Sequence, residues 1–147
     1  MADTGVQLEV EDWVRREWLP REFGQRFSRE RLKLTPGGVL DFDAVSADEK
    51  IVASISTSAS RTATGKLAVG KLTKIRSDML FLLMASCDQR LVVLTDETMF
   101  KQLEKERSAG RVPTSIVFKH AEIPPDLHRR LVSSQKAASR EVSPDID

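Results

Sequence analysis

The chain has 147 residues, 40% of them apolar and 31% charged, with a formal net charge of +1. That length suits one domain around a single sizeable core, and the near-neutral total offers no global attraction to a polyanion, so any nucleic-acid contact must come from the distribution of charge. One cysteine, Cys87, excludes an internal disulfide and suits a reducing cytoplasm; the acidic start MADTGVQLEVEDW lacks the apolar segment of a signal peptide, and the longest apolar run, Met79 to Ala85, is far short of a membrane span.

In chain order, Val10, Val14 and Trp18 recur every fourth residue, which predicts a helix from Gln7 to Leu19 with one buried stripe. Pro20 has no amide hydrogen and interrupts or restarts that helix. Phe23 and Phe27 repeat the spacing and predict that it continues to about Phe27. Leu32 and Leu34 alternate with charges, and Thr35-Pro36-Gly37-Gly38 is a turn. Val39 to Ser46 alternates as a strand, with Leu40, Phe42 and Ala44 on one face and Val39, Asp41, Asp43 and Val45 on the other. Ala47 to Lys50 turns the chain into a second strand, Ile51 to Ser56, where Ile51, Ala53 and Ile55 oppose Val52, Ser54 and Ser56.

The small polar run Thr57 to Thr64 reads as a loop or a helix N-cap. Lys66 to Ala85 is predicted as a long helix, with Ala68, Leu72, Ile75, Met79, Leu82 and Leu83 on its apolar side. Leu91 to Leu94 suits a strand buried on both faces. Asp96 caps a predicted helix ending near Ser108 that carries Met99, Phe100 and Leu103. A turn at Gly110 to Pro113, a short strand at Ser115 to Phe118 and a helix opened by Pro124-Pro125-Asp126 complete the pattern. The expected architecture is α/β, a mixed sheet flanked by helices, forming one domain over residues 1–132 with a polar, flexible tail over 133–147.

A helix, a three-stranded meander, a helix and a further strand, with Asp43 in Phe42-Asp43-Ala44-Val45, resemble the core of the restriction-endonuclease-like (PD-(D/E)XK) superfamily. The resemblance spans roughly residues 10–95. It implies a nuclease-like domain in which an Asp on the second strand and an acid-x-Lys on the third hold a divalent metal, usually magnesium, beside a phosphodiester. Asp43 matches the strand-two Asp. Ser54 stands where the acid belongs and Ser56 where the Lys belongs. Members of the superfamily relocate these groups, which here implies Asp43 and Asp41 as metal ligands, with Glu17 as another stand-in acid. Asp43, Lys66 and Lys71 become the catalytic candidates, with Lys74 a further stand-in for the Lys. The same acids also suit a solvated strand on a fold that has lost catalysis.

Between Lys50 and Ser77 lie six basic residues and no acidic one, around the Ser/Thr-rich loop. Hydroxyls, free amides and the positive end of a helix dipole favour phosphate there, making Ser56, Thr57, Ser58, Arg61, Lys66 and Lys74 candidate contacts for DNA or RNA. Helix capping alone accounts for the same composition. The segment has no aromatic residue for base stacking. Gly65 to Lys71 matches the first part of a P-loop but runs into Leu72 instead of the Ser or Thr that a bound metal requires. Two histidines, His120 and His128, do not make a zinc site. The other reading is a non-catalytic protein-binding or assembly module, a homodimer with Trp13 as a contact or half-buried against the sheet.

Overall fold

The computed structural model describes residues 4–142; Met1 to Asp3, and residues 143–147 of the predicted tail, lie outside the described residues. Its first helix, α1 (Thr4–Trp13), runs into a π-helical turn (Val14–Trp18) and then α2 (Leu19–Phe23). The wide turn, in which the Leu19 amide donates to the Val14 carbonyl, sits just before Pro20, which cannot donate an amide hydrogen of its own. The chain therefore passes through Pro20 as helix. It stops before the predicted limit at Phe27, because Gly24 adopts a left-handed conformation (φ 70°) and donates to the Pro20 carbonyl at 2.8 Å. Phe27 instead opens the first strand.

Strands β1 (Phe27–Lys33), β2 (Val39–Ser46) and β3 (Ile51–Ser56) form an antiparallel meander. Helix α3 (Val69–Leu83) then crosses to β4 (Gln89–Leu94), and α4 (Glu97–Ser108) crosses to β5 (Ile116–His120). β3, β4 and β5 are parallel, and the five-stranded sheet keeps the order β1-β2-β3-β4-β5. The chain is thus α/β with a mixed sheet between helices. The last helix, α5 (Pro125–Val142), runs through the 132/133 boundary expected for the start of the tail, and Gln135 within it donates to the Thr57 carbonyl at 2.8 Å.

Each sheet face has its own core. On one, Phe42, Val45, Val52 and Val92 meet Leu72, Ile75, Met79 and Leu82 of α3 and Met99 and Leu103 of α4. On the other, Ala44, Ala53, Ile55, Leu91 and Val93 meet Val14 and Leu19, with Trp13 and Trp18 packed against them. A third cluster joins Val6 and Val10 of α1 to Leu127 and Leu131 of α5. Trp13 bridges the second and third clusters, so it is half-buried packing.

The strict alternation predicted for β2 fails at one point. Ser28 pairs with Val45 and Glu30 with Phe42, so Asp43 and Ala44 together face the single residue Arg29. This bulge puts Phe42 and Val45 on the same face and Ala44 on the other, whereas the sequence predicts Phe42 and Ala44 together. α3 also begins later than predicted. Lys66 lies in a turn closed by an Arg61–Leu67 bridge, and Ala68, which has no capping side chain, precedes the first helical residue.

Candidate functional site

The β2–β3 ladder contains only the pairs Ala44–Ala53 and Val45–Val52. Continued by one residue, that register would set Asp43 opposite Ser54, but there the two strands part. Asp43 holds the opening: its Oδ2 accepts the Ile55 amide at 2.8 Å, in place of a main-chain carbonyl from β2. From the other side the Arg15 Nε, on the π-helical turn, donates to the Asp43 carbonyl at 2.7 Å. The bulge, the parted strands and the wide helical turn all meet at this residue.

The opening is a cleft of about 270 Å³ between β2, β3 and α3. Its polar lining is Asp41, Asp43, Ser54, Lys74, Ser77 and Asp78, against apolar walls from Leu40, Phe42 and Phe81. Ser54 is only 6% exposed, and its Oγ has no hydrogen-bond partner. A buried hydroxyl in that state is costly, and such groups are ordinarily met by an ordered water or another polar partner. Lys74 Nζ lies 2.7 Å from Asp78 Oδ1, one helical turn away. Burial pushes the Asp78 carboxyl above its ordinary range; nearby Asp43 adds to that shift and Lys74 opposes it. Glu11 of α1 is raised in the same way, first by burial and then by Asp43. Asp41 behaves oppositely, because the Arg31 guanidinium, 2.8 Å away, holds its carboxyl below the usual range.

The structure therefore divides the sequence-predicted residues into two groups. Asp41, Asp43 and Lys74 line the cleft. Ser56, Thr57, Ser58, Arg61, Lys66 and Lys71 do not; they belong to the end of β3, the loop that follows and the first turn of α3. In that loop Thr57 is buried, Ser56 and Ser58 are half-buried, and Arg61, Lys66 and Lys71 are exposed. The loop is tied down by Ser60, whose amide donates to Thr98 Oγ1 at 3.1 Å. Glu17, the other stand-in acid, is occupied at the surface by Arg21. The P-loop resemblance ends at Leu72, which is a core residue.

Three groups linked to Asp43 escape a reading by sequence alone: Asp78, which lines the cleft, and Glu11 and Arg15, which do not. Asp78 sits four residues after Lys74, a spacing that ordinarily marks a surface ion pair, so its tie to Asp43 shows only in three dimensions. Among the described residues, no three His, Cys, Asp or Glu side chains form a group that could hold a metal ion, and no helix is long and apolar enough to cross a membrane. No protein-family model, curated protein or solved structure matches this chain.

Proposed function

We propose that this chain is a nuclease-like, nucleic-acid-binding domain of the restriction-endonuclease-like kind, with a rearranged metal site in the cleft at Asp43. The order helix, three-stranded meander, helix, strand supports this reading. The observation that carries it is the parting of β2 and β3 at Asp43, which leaves this strand-two acid lining the same cleft as Ser54, whose buried hydroxyl has no partner.

The residues fit a hard divalent cation such as magnesium. Oxygen donors line the cleft, the acids outnumber the lysine three to one, and the Ser54 oxygen lacks a partner. Asp43 is the central ligand. Bound there, such an ion would neutralise the carboxylates and activate a water beside a phosphodiester. The chain's own contribution is positional: the Ile55 amide and Arg15 fix Asp43 from both sides, while Phe42 and Phe81 wall the cleft with apolar surface. Exposed Arg61 and Lys66, on the segment between β3 and α3, and Lys71, in the first turn of α3, would contact the phosphate backbone.

A second reading, a non-catalytic assembly module, draws on Val69, Leu80 and Leu83 of α3, which are 60%, 56% and 39% exposed. One experiment separates the two. Fluorescent single- and double-stranded DNA and RNA are titrated at two salt concentrations, with and without Mg²⁺ or Mn²⁺, and then run on a gel. Salt-sensitive binding that weakens in the Lys66→Ala/Lys71→Ala variant, with metal-dependent cleavage lost in Asp43→Asn, is the expected result. No binding at low salt would overturn the nuclease-like reading in favour of assembly.

A further inference from the structure

Strand β1 is an edge of the sheet: β2 lies on one side of it, and among the described residues no strand lies on the other. Along an antiparallel strand, alternate residues turn their main-chain groups toward the neighbour. Leu34 donates to the Gly38 carbonyl at 2.7 Å, and the Arg26 carbonyl accepts from Ala47 at 2.8 Å, so the even-numbered residues face β2 and the odd-numbered ones face outward. Both ends of that outer row are occupied. Phe27 is buried, its ring 5.9 Å from that of Phe23, and the Thr35 amide donates to the Met84 carbonyl at 2.9 Å. Between them Arg29, Arg31 and Lys33 are exposed, and their outward N–H and C=O groups have no main-chain partner among the described residues.

This edge is not blunted by proline or by a bulge of its own, since the extra residue sits on β2. It carries charge instead. Arg29, Arg31 and Lys33 share one face, with Glu30 and Leu32 on the other. That row works against a second copy: a two-fold pair centred on Arg31 sets Arg29 against Lys33, and one centred on Glu30 sets Arg29 against Arg31. Arg31 is already paired with Asp41 at 2.8 Å. Arg29 and Lys33 form no ion pair among the described residues, although the charge of Arg29 is felt at Glu11 and Asp41.

We propose that the outer edge of β1 binds an extended acidic peptide as a sixth strand, antiparallel to β1, with carboxylates four residues apart opposite Arg29 and Lys33. Main-chain bonds to Arg29, Arg31 and Lys33 hold the peptide, and the two carboxylates set its register. Opposite Arg31, which Asp41 neutralises, the peptide needs only a neutral residue, and opposite Leu32 an apolar one. A nucleic acid has the charge for this row but cannot complete a main-chain ladder. The proposal stands apart from the cleft at Asp43.

The test is a titration of the ¹⁵N-labelled full chain with the acetylated, amidated peptide Glu-Val-Thr-Thr-Glu, read by amide shifts and amide hydrogen exchange. The peptide should slow exchange at Arg29, Arg31 and Lys33 and leave Glu30 and Leu32, already held by β2, unchanged. N-methylation of the central peptide threonine, whose amide faces β1, should abolish binding; N-methylation of the valine, whose amide points away, should not. Arg29→Glu/Lys33→Glu should weaken binding by about tenfold, as opposite charges become like ones. The peptide Lys-Val-Thr-Thr-Lys should restore binding to that variant, a gain that misfolding cannot imitate. Equal loss with both N-methylated peptides, no rescue by the lysine peptide, or no binding by wild type at millimolar peptide would overturn the proposal. Weaker DNA or RNA binding by the double variant, with no peptide bound by wild type, would also overturn it and make the row a phosphate contact.

Discussion

Replacing Asp43 tests the hinge of the whole arrangement. Asp43→Ala removes the acceptor of the Ile55 amide, a 2.8 Å bond to a carboxylate, and leaves that N–H at a point where β2 has already separated. A hydrogen bond to a charged group contributes about 1.5–3 kcal/mol, and Asp43 is half-buried, so the lower part of that range, about 1.5–2 kcal/mol, applies. For a chain of this size the melting temperature should fall by about 3–8 °C. Asp43→Asn keeps an oxygen facing Ile55 and gives up only the charge. It also relieves Glu11 and Asp78, whose carboxyls Asp43 pushes upward. The amide variant should therefore stay within about 1 kcal/mol of wild type. Thermal unfolding followed by circular dichroism, on all three proteins at one pH, gives the comparison. An alanine variant that melts with wild type would refute the claim that this carboxylate holds β3. An asparagine variant that falls as far as alanine would show that the charge, and not the acceptor, does the holding.

Three further outcomes follow from local geometry. Glu49 has φ 60° in the β2–β3 turn, so Glu49→Gly should raise stability by about 0.5–1 kcal/mol, read as a higher urea midpoint with an unchanged slope. Asp96 caps α4 by accepting the Thr98 and Met99 amides at 2.9 and 3.2 Å, and Asp96→Ala should cost about 1–2 kcal/mol in the same urea assay. The raised carboxyls of Asp78 and Glu11 mean that the folded state binds more protons than the unfolded chain, so their contribution is full below the ordinary carboxylate pKa and is lost as pH rises through the folded value. Asp78→Asn should accordingly lessen the fall in stability as pH climbs above about 4, and a fall as steep as wild type's would contradict the assignment.

Periodicity made most of the fold legible. Leu91 to Leu94, the Asp96 cap and the helix ending near Ser108 lie where the sequence predicts them. The departures share a cause: each depends on a contact between distant parts of the chain or on a backbone state that periodicity does not encode. Phe23 and Phe27 keep helical spacing, yet Gly24 between them turns left-handed and sends Phe27 into a strand. The predicted start of α3 at Lys66 gives way because residues 60–67 are occupied elsewhere, in a bridge and in the bond from Ser60 to Thr98 of α4.

The site was half legible for a related reason. An acid on a strand is visible, so Asp43 stood out, and Ser54 appeared as a gap in a motif. A gap in a list of residue types does not show what fills the space. Under strict alternation Asp43 would point away from Phe42, and Phe42 packs on the α3 side, which would keep the carboxylate apart from Asp78. The extra residue at the bulge frees Asp43 from that rule. Its carboxylate turns across the sheet to the Ile55 amide and faces the cleft shared with α3, while its main chain stays tied to Arg15 behind. Deleting Ala44 would restore the alternation; it should return Asp43 to the far face and close the cleft, whatever happens to the acids themselves.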